Sequence, residues 1–521
     1  MNNKDTGSFY TPRKLMEFMT TYIDDKINHN KALEPSAGDG IFLDYLSSSF
    51  MKTDVIELYK DKIDYLLDLN LQNIECHHSD YLDYKQNAPY DLIIGNPPYI
   101  NKKSIPKSQN EKGIKLAKKW GLTEKICKNM WVYFILKSVE LVKKDGSIFF
   151  VLPYEFLQVN YAMPLRNWLE EHFKYINIII FNEKAFNDID QEICLVLLSN
   201  TNKFRNKGIE PYISLEIYNK ISTNEIPVHQ GIIERNKPIN KWSNSILNDN
   251  ELDFLKDVCQ RFSKGSELFT SKPGIVTGAN SYFLLTKEEV YKYGFYKNKR
   301  KIISKSSEVS NKLIFSLEDH IDIINNNKKA YVLNLSKTKR KEFSYKMNKY
   351  IKSGQQNKVN NRYKCSLRKR WYDIRLGEIG ELIFFKRYHL YPRMIINEAN
   401  CYTTDIGYNI FGKEGIDLRK LAFCFYNSLT MTMCEYNGRF YGGGVCELTP
   451  SEFRNLPFPQ GDVSIEDIKY LDYLIRKGRS IEEITEFVDS KILTSILSEE
   501  ERRYLINIKS KLLERRLKNI T

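Results

Sequence analysis

The stretch that decides the fold is Tyr90-Asp91-Leu92-Ile93-Ile94-Gly95-Asn96-Pro97-Pro98-Tyr99, an apolar run that ends in a short proline-rich loop. The run predicts a buried strand. In the loop, the side-chain carbonyl of Asn96 and the backbone carbonyl of Pro97 can each accept one hydrogen of a planar exocyclic amine. Pro98 stiffens the loop together with Pro97, and the ring of Tyr99 offers a surface on which a base can stack. The loop therefore predicts a catalytic site where an amine is held for alkylation.

A second motif lies upstream, where an apolar run from Lys31 enters Glu34-Pro35-Ser36-Ala37-Gly38-Asp39-Gly40. This pattern predicts a strand that turns tightly into a helix, with glycines that let the backbone approach a ligand. The loop lacks the GxGxxG fingerprint, which disfavours NAD and ATP. A carboxylate at Glu34 suits a ligand with an ammonium group, such as the methionine end of S-adenosylmethionine. Ser36, Ala37 and Gly38 are the loop residues that we expect to contact this cofactor.

Two further acids each stand at the end of a short segment. Glu57 ends the segment Asp54-Val55-Ile56-Glu57, where its carboxylate can accept from ribose hydroxyls. Asp80 can accept from an adenine N6 amine, and the neighbouring Tyr81 can pack on the adenine ring. Acids at the ends of successive strands are expected in a doubly wound α/β sheet, which binds ligands at the carboxyl ends of its strands.

In this order, the motifs resemble those of the γ-class N6-adenine DNA methyltransferases of restriction–modification systems, the TaqI-like amino-methyltransferases. Thr11-Pro12-Arg13-Lys14-Leu15 is similar to the first motif of that family and precedes an apolar helical pattern. The resemblance covers roughly residues 7–200. It implies that Thr11 contacts the cofactor carboxylate and that Asn96 lies at the cofactor as well as at the target amine. One departure is Leu58-Tyr59-Lys60, where many relatives carry a second acid two positions after Glu57.

The resemblance also implies a fold and a reaction. The fold is a Rossmann-like S-adenosylmethionine-dependent methyltransferase domain, followed by a mixed α+β target-recognition domain and a short helical segment. The reaction is methyl transfer to N6 of a flipped adenine in a short double-stranded DNA motif, which protects DNA from a cognate restriction endonuclease. Lys184-Ala185-Phe186-Asn187 is similar to the segment whose aromatic residue packs on the target base, so Phe186 is expected to stack there, with Phe181 as the rival.

Composition sets further limits. A chain of 521 residues predicts two or three domains. Its longest apolar runs are the length of strands, and its amino terminus lacks the apolar core of a secretion signal. The nine cysteines include no CxxC pair, and the histidines show no metal-ligand spacing. These features predict a cytoplasmic protein without a membrane span or a metal ion.

The net charge of +14 is concentrated in one stretch. Residues 297–375 contain 22 Lys or Arg and 6 Asp or Glu, so their local excess exceeds the net charge of the whole chain. Aromatic residues are interspersed among the cations. This combination predicts double-stranded DNA as the partner, because phosphate contacts supply most non-specific affinity for DNA. The candidate DNA-binding residues in this stretch are Arg340, Lys341, Arg368, Lys369 and Arg370.

The chain is expected to divide into a methyltransferase domain at 1–240, a target-recognition domain at 241–462 and a helical segment at 463–521. The polar stretch 200–250 is expected to be an interdomain connection containing a little structure, and the pattern after Val463 is helical. Two alternatives remain at this stage. The same chemistry could act on RNA or on a protein glutamine amide. A bifunctional restriction–modification enzyme is the other alternative, although only ten residues precede Thr11.

Overall fold

The computed structural model describes residues 10–86, 88–186, 192–204, 210–234, 241–441 and 444–517. The chain forms two compact units. One is Met1–Leu252 together with Leu517–Thr521, and the other is Asp253–Arg516. Among the described helices, none combines the length and the hydropathy that a membrane span needs.

Within its described residues, the first unit is built on a sheet of nine strands in the order β3-β2-β1-β4-β5-β7-β6-β8-β9. In chain order the strands are β1 (Lys31–Glu34), β2 (Lys52–Glu57), β3 (Ile74–His78), β4 (Tyr90–Gly95), β5 (Val142–Pro153), β6 (Tyr175–Phe181), β7 (Ile193–Ser199), β8 (Tyr212–Tyr218) and β9 (His229–Glu234). The five strands from β3 to β5 are mutually parallel, whereas β7 pairs antiparallel with both β5 and β6. The predicted doubly wound α/β fold of this unit is confirmed.

Helices cover this sheet, as expected for parallel strands with buried faces. They are α1 (Arg13–Ile23), α2 (Leu43–Ser49), α3 (Lys60–Asp68), α4 (Lys107–Lys119), α5 (Met130–Leu141) and α6 (Met163–His172). A further helix, α7 (Asp249–Gln260), begins in the first unit and ends in the second. The sequence pattern of α1 is amphipathic, and its residues Leu15, Phe18, Met19 and Ile23 are buried as that pattern predicts. The helix packs these side chains against β4, β5 and β7 in one apolar cluster.

The stretch 200–250 contains more structure than the sequence indicated. β8 is completely buried and pairs parallel with β6, and β9 pairs antiparallel with β8, so both strands extend the main sheet. The sequence predicted an interdomain connection containing a little structure, whereas β8 and β9 belong to the main sheet. The strand pattern of Tyr212–Tyr218 was overlooked because polar Asn and Lys residues dominate the composition of its flanks.

A buried ionic network ties β1, β2 and β4 together near their amino ends. The Asp54 carboxylate pairs with Lys31 Nζ at 3.1 Å and forms hydrogen bonds with Tyr90 Oη at 2.7 Å and His77 Nε2 at 2.9 Å. Burial alone would raise the pKa of Asp54, but the hydrogen bonds from Tyr90, His77 and Lys31 lower it to about 2. Asp54, Glu75 and His77 also have the spacing of metal ligands. Because Lys31 already neutralises Asp54, we interpret the group as structural.

The second unit is a mixed α+β assembly, as predicted. Its described strands form a sheet of order β10-β18-β14-β16, a sheet of order β11-β13-β12-β17 and a sheet of order β15-β20-β19. The strands are β10 (Phe269–Pro273), β11 (Leu284–Leu285), β12 (Lys299–Ile303), β13 (Tyr331–Leu333), β14 (Leu382–Phe385), β15 (Arg387–Tyr388), β16 (Arg393–Ile396), β17 (Tyr402–Thr403), β18 (Gly407–Gly412), β19 (Arg439–Tyr441) and β20 (Val445–Glu447).

The helices of the second unit fall into two groups. Those before residue 460 are α8 (Gly265–Leu268), α9 (Asn280–Phe283), α10 (Lys287–Tyr293), α11 (Leu317–Asn325), α12 (Tyr345–Gln356), α13 (Tyr363–Ser366), α14 (Leu418–Cys424), α15 (Ser428–Asn437) and α16 (Pro450–Arg454). The helical pattern predicted after Val463 corresponds to α17 (Ile465–Arg476), α18 (Ile481–Ile492) and α19 (Glu499–Leu517). Ser464 and Ser480 begin α17 and α18 with capping boxes.

A buried ion pair fastens α19 to α15. The Arg516 guanidinium donates to both carboxylate oxygens of Glu435, at 2.7 and 2.9 Å, and the two side chains are 0% and 3% exposed. Arg516 also donates to the carbonyl oxygens of His389 and Gly444. These four acceptors satisfy a cation that could not otherwise be buried.

We expect Arg516→Met to destabilise the second unit by about 3–5 kcal/mol, because Glu435 would stay buried without a cation. For a unit of this size that corresponds to a fall of roughly 10 °C in the midpoint of thermal unfolding, measured by calorimetry. Arg503→Met is the matched control, since Arg503 lies on the same helix but forms an exposed pair with Glu499. Equal shifts in the two variants would contradict the assignment, and Glu435→Gln should restore part of the loss in the Arg516→Met background.

Candidate active site

The loop after β1 brings the Glu34 carboxyl and two glycines to the carboxyl edge of the sheet. Gly38 and Gly40 adopt φ angles of 57° and 75°, in the left-handed region that favours glycine. A Cβ on Gly40 would lie 2.8 Å from a methyl group of Leu66, so this side chain would have to shift to admit any other residue. Ser36 Oγ donates to the backbone carbonyl oxygen of Asn96 at 3.2 Å, which joins this loop to the loop after β4.

Glu57 connects the end of β2 to the same glycine turn. One of its carboxylate oxygens accepts from the Gly38 N–H at 2.9 Å, and the other accepts from the N–H groups of Leu58 and Tyr59 at 2.8 and 3.0 Å. A carboxylate offers about four acceptor positions, so one position remains for a ligand hydroxyl. The three backbone donors hold the carboxylate in place before any ligand arrives.

Asp80 lies in the turn that follows β3. Its Oδ1 accepts from the Leu82 N–H at 3.1 Å, and its Oδ2 accepts from Lys112 Nζ at 3.0 Å. Lys112 belongs to α4 and also pairs with Asp83, and the pKa of Lys112 is raised by these two carboxylates. The Tyr81 ring is buried against Phe134, with its hydroxyl 2.8 Å from Ser138 Oγ.

The Asn96–Tyr99 loop begins directly after Gly95 ends β4, as the sequence predicts. The Asn96 side-chain Nδ2 donates to Thr11 Oγ1 at 3.2 Å. The Tyr99 hydroxyl donates to the Val151 carbonyl oxygen at 3.1 Å, which fixes the ring beside β5, and its pKa is raised well above the usual range by burial. Pro97 is buried, while Pro98 is partly exposed.

Two cavities lie at this edge of the sheet. The larger, of about 230 Å³, is lined by Glu57, Asp80, Tyr81 and Pro98, and the smaller, of about 30 Å³, by Thr11, Glu34 and Ala37. Ser36, Gly38 and Asn96 line both cavities. Each of the nine residues predicted to bind the cofactor therefore lines at least one of them, although those residues span positions 11–96.

The smaller cavity contains a carboxyl group of unusual electrostatics. Glu34 is 1% exposed, and its Oε2 has no hydrogen-bond partner among the described residues. Burial raises the pKa of Glu34 well above its usual range, and the carboxylates of Asp39 and Glu57 raise it further. A buried carboxyl in such surroundings favours a cationic ligand, which would replace the missing partner.

Other residues line the cavities without having been predicted. Tyr10 lines both, and Lys62, Gln109 and Phe134 line the larger one. Lys62 Nζ lies 5.1 Å from the centroid of the Tyr10 ring. The position of Tyr10 directly before Thr11 was a usable signal for it. Lys62 and Gln109 lie on helices whose solvent-facing sequence pattern gives no indication that they line a cavity.

Phe186 does not line either cavity. It is 8% exposed and packs in the apolar cluster that also contains Phe181. The ring of Phe181 contacts Phe18 and Tyr218, so Phe181 is a core residue. Asn187, the last residue of the motif predicted for target-base stacking, lies outside the described residues. Stacking by Phe186 stays a prediction.

The basic stretch of the second unit separates into exposed cations and structural cations. Arg368 donates to the carbonyl oxygens of Val276 and Thr277, and Arg370 pairs with Asp373 and donates to three carbonyls. By contrast, the exposed cations of residues 337–375 have no ion-pair partner among the described residues: Lys337, Lys339, Arg340, Lys341, Lys346, Lys349, Lys352, Lys358, Arg362, Lys364, Lys369 and Arg375. We call these twelve residues the basic surface.

Two family models match the chain. The model described as "Eco57I restriction-modification methylase" matches residues 21–186. The model described as "Type II methyltransferase M.Eco57I, C-terminal domain" matches residues 239–493. Type II methyltransferase M.AccI of Acinetobacter calcoaceticus is 24% identical over 534 residues, which cover 96% of this chain and 95% of that protein. Type II methyltransferase M.HincII of Haemophilus influenzae is 29% identical over 192 residues, 36% of each chain.

The chain belongs to the restriction–modification methyltransferases. It is a DNA methyltransferase, and S-adenosylmethionine is its cofactor. Two solved structures share its fold at low identity. The Type IIL restriction-modification enzyme MmeI, in complex with DNA, superposes with a TM-score of 0.59 at 12% identity, covering 98% of this chain and 79% of that one. A nuclease-deletion mutant of the Type ISP restriction-modification enzyme LlaGI gives a TM-score of 0.53 at 13% identity, covering 90% and 55%.

The residues at the two cavities fit this cofactor. Glu34 would hold the methionine ammonium, because its buried Oε2 lacks a partner in the described structure. Glu57 would hold ribose hydroxyls, and Asp80 would accept from the adenine amine. The cavities are lined by Glu34, Asp39, Glu57 and Asp80, an acidic set that suits a cationic ligand better than a phosphate-bearing one.

We expect Glu34→Gln to weaken binding of S-adenosylmethionine about 10- to 100-fold, the range for loss of a charged hydrogen bond. Methylthioadenosine, which lacks the amino-acid end, should bind both proteins equally in titration calorimetry. A loss of the same size for both ligands would contradict the assignment.

The same carboxyl should make binding depend on pH. Because its pKa is raised in the free protein, Glu34 is protonated over a range above the ordinary glutamate value and must lose that proton to pair with an ammonium group. The affinity for S-adenosylmethionine should therefore rise with pH until the raised pKa of Glu34 is passed. Titration calorimetry in buffers of different ionisation enthalpy should detect the proton that Glu34 releases on binding. In Glu34→Gln this dependence should disappear.

Proposed function

We propose that this enzyme methylates N6 of a flipped adenine within a short double-stranded DNA motif. The observation that carries the proposal is the position of Asn96, which begins the Asn-Pro-Pro-Tyr loop and lines both cavities at the carboxyl edge of the sheet. An amine held by this residue would lie beside the cofactor. The adenine must leave the helical stack, because N6 is not accessible for alkylation within a duplex.

Two acceptors would hold the amine. The side-chain carbonyl of Asn96 and the backbone carbonyl of Pro97 would each take one hydrogen, which draws the nitrogen out of conjugation with the ring. When bound, S-adenosylmethionine supplies an electrophilic methyl group on its sulfonium. The nitrogen loses a proton after it gains the methyl group, so the site needs no strong general base. Pro97 and Pro98 stiffen the loop and limit the reorganisation needed to align the acceptors.

Tyr99 would receive the flipped base on its ring. Its hydroxyl is committed to the Val151 carbonyl, and its ring is only partly buried. Stacking of a base on such a ring is worth about 1–3 kcal/mol, which would offset much of the few kcal/mol that flipping costs. We propose Phe186 as a second aromatic contact for the base.

Asn96→Ala should remove both the acceptor and the amine geometry, and should lower methylation by roughly 100-fold or more, the scale for loss of one catalytic hydrogen-bonding group. Modification-sensitive single-molecule sequencing of DNA from a methylation-deficient bacterium expressing each protein measures this. We expect N6-methyladenine at one short motif in the wild type and in Asn101→Ala, an exposed neighbour, and none in Asn96→Ala.

Other results of that experiment would redirect the proposal. N4-methylcytosine at a defined motif would keep the amine chemistry and change the base. An absence of modified DNA with folded wild-type protein present would contradict the proposal and favour RNA or a protein amide as the substrate.

The basic surface would contact DNA phosphates. Arg340, Lys341 and Lys369 belong to this surface, and Lys346 and Lys349 project from α12. Arg368 and Arg370 would act indirectly, since their guanidinium groups hold the backbone that carries the surface. Base contacts within the second unit would set the recognition sequence.

Replacing Lys346 and Lys349 by glutamine should weaken binding to all DNA sequences. It should also reduce the slope of log affinity against log salt by about 2, because each lysine would neutralise one phosphate. Fluorescence anisotropy over a salt series measures the slope. The matched control replaces Lys469 and Lys477, two exposed lysines on or beside α17. A change of slope in the control pair, or none in the Lys346/Lys349 pair, would contradict the proposed surface.

The same proposal includes a biological setting. Methylation of one motif would protect cytoplasmic DNA from a separate cognate restriction endonuclease that acts on the same site. The enzyme's partners would then be double-stranded DNA and, through the shared site alone, that endonuclease.

A further inference from the structure

Thr11 contacts the amide group on which the proposed reaction depends. Asn96 Nδ2 donates to Thr11 Oγ1 at 3.2 Å, and Thr11 is 6% exposed. Pro12 follows Thr11 and is the N-cap of α1, whose first turn is closed by hydrogen bonds to the Pro12 carbonyl oxygen. The hydroxyl is thus fixed by a helix that packs on the sheet. Ser36 Oγ meanwhile holds the Asn96 backbone carbonyl, so the side chain and the main chain of Asn96 are restrained separately.

The orientation of the Asn96 amide decides whether it can accept from an amine. An asparagine amide has a donor NH2 on one side and an acceptor oxygen on the other. A rotation of 180° about its terminal bond exchanges the two and would present NH2 to the target amine. In the structure the Thr11 hydroxyl accepts from Nδ2, which places Oδ1 on the opposite side. Because a hydroxyl can also donate, it would enforce this orientation only when its own hydrogen is engaged by another acceptor.

Thr11 also lines the smaller cavity, together with Glu34 and Ser36. A threonine hydroxyl has one hydrogen to donate as well as two acceptor positions. While Thr11 accepts from Asn96, its own hydrogen remains available to a carboxylate in that cavity. A hydroxyl that donates to a charged group becomes a stronger acceptor, so the two hydrogen bonds reinforce each other.

We propose that Thr11 is a positioning residue that couples occupancy of the cofactor cavity to the orientation of the Asn96 amide. Its hydroxyl joins the carboxylate end of the cofactor to the acceptor of the target amine through two consecutive hydrogen bonds. The proposal rests on the function proposed above, since it concerns the acceptor that would hold N6. It differs from a simple cofactor contact, because it assigns to Thr11 an effect on the target amine.

Thr11→Val keeps the shape of the side chain and removes the hydroxyl. A residue that only bound cofactor would raise KM for S-adenosylmethionine and leave kcat unchanged at saturation. We expect both a raised KM and a fall of about 5- to 10-fold in kcat, the size of one hydrogen bond to a neutral partner. Thr11→Ser retains the hydroxyl and should recover kcat. Thr20→Val is the matched control, because among the described residues the Thr20 hydroxyl bonds only within α1, to the Met16 and Glu17 carbonyls.

A binding measurement separates the coupling from activity. S-adenosylhomocysteine carries the same carboxylate, whereas methylthioadenosine does not. In the wild type, S-adenosylhomocysteine should tighten binding of an unmethylated duplex that contains the recognition motif several-fold, and methylthioadenosine should not. In Thr11→Val the two ligands should have equal effects on DNA affinity.

The outcomes distinguish this inference from the proposed function. If the wild type produces no N6-methyladenine, the proposed function fails. If the wild type methylates adenine while Thr11→Val retains full kcat at saturating cofactor, or Thr11→Ser fails to recover it, the coupling role is overturned and Thr11 is a cofactor contact alone. The coupling role is also overturned if, in a folded Thr11→Val protein, S-adenosylhomocysteine still tightens DNA binding as much as it does in the wild type.

Discussion

Parallel pairing of β1, β2, β3 and β4 is the constraint on which the active site depends. Parallel strands deliver their carboxyl ends to one edge of a sheet, so loops that are far apart in sequence meet there. The register pairs Glu34 with Val55 and Glu57 with His78. A slip of one residue in any of these pairs would turn the side chains to the opposite face and move an acid away from the cavities. The buried apolar residues of these strands therefore fix the positions of the polar side chains at the strand ends, although they do not contact a ligand themselves.

The residues at this edge were largely predictable from sequence. Glu34, Glu57 and Asn96 lie at the end of an apolar run or directly after one, whereas Asp80 follows the polar segment His77-His78-Ser79. All four line the cavities. Lys112 could not be found in this way, since it reaches Asp80 from a helix whose docking depends on tertiary packing. The strands β8 and β9 were missed for a different reason. Their polar flanks resemble a linker, and β8 is stabilised by pairing with β6, while β9 is stabilised by pairing with β8.

In the second unit, the number of charged residues alone does not predict which of them can bind a phosphate. A run of Lys and Arg predicts a phosphate-binding surface, but the count does not tell which cations face solvent. Arg368 and Arg370 are the cations most strongly committed to backbone carbonyls, whereas their neighbour Lys369 is exposed. Arginine is suited to the structural role because its planar guanidinium can bond several carbonyls at once. Arg516 acts in the same way in the ion pair with Glu435.

Within the active site, most polar groups are already held by the protein. Glu57 is bound by three N–H groups, Asp80 by Lys112 and the Asn96 amide by Thr11. Because these side chains are held in place before a substrate binds, less free energy is lost in ordering them when it does. Glu34 differs from them, because its Oε2 has no partner among the described residues and its burial disfavours the charge that an ammonium ligand needs. The protein therefore bears an unfavourable carboxyl when the ligand is absent, and the cationic ligand removes that penalty. A site arranged in this way discriminates by charge, since a neutral ligand of the same shape would leave the penalty in place.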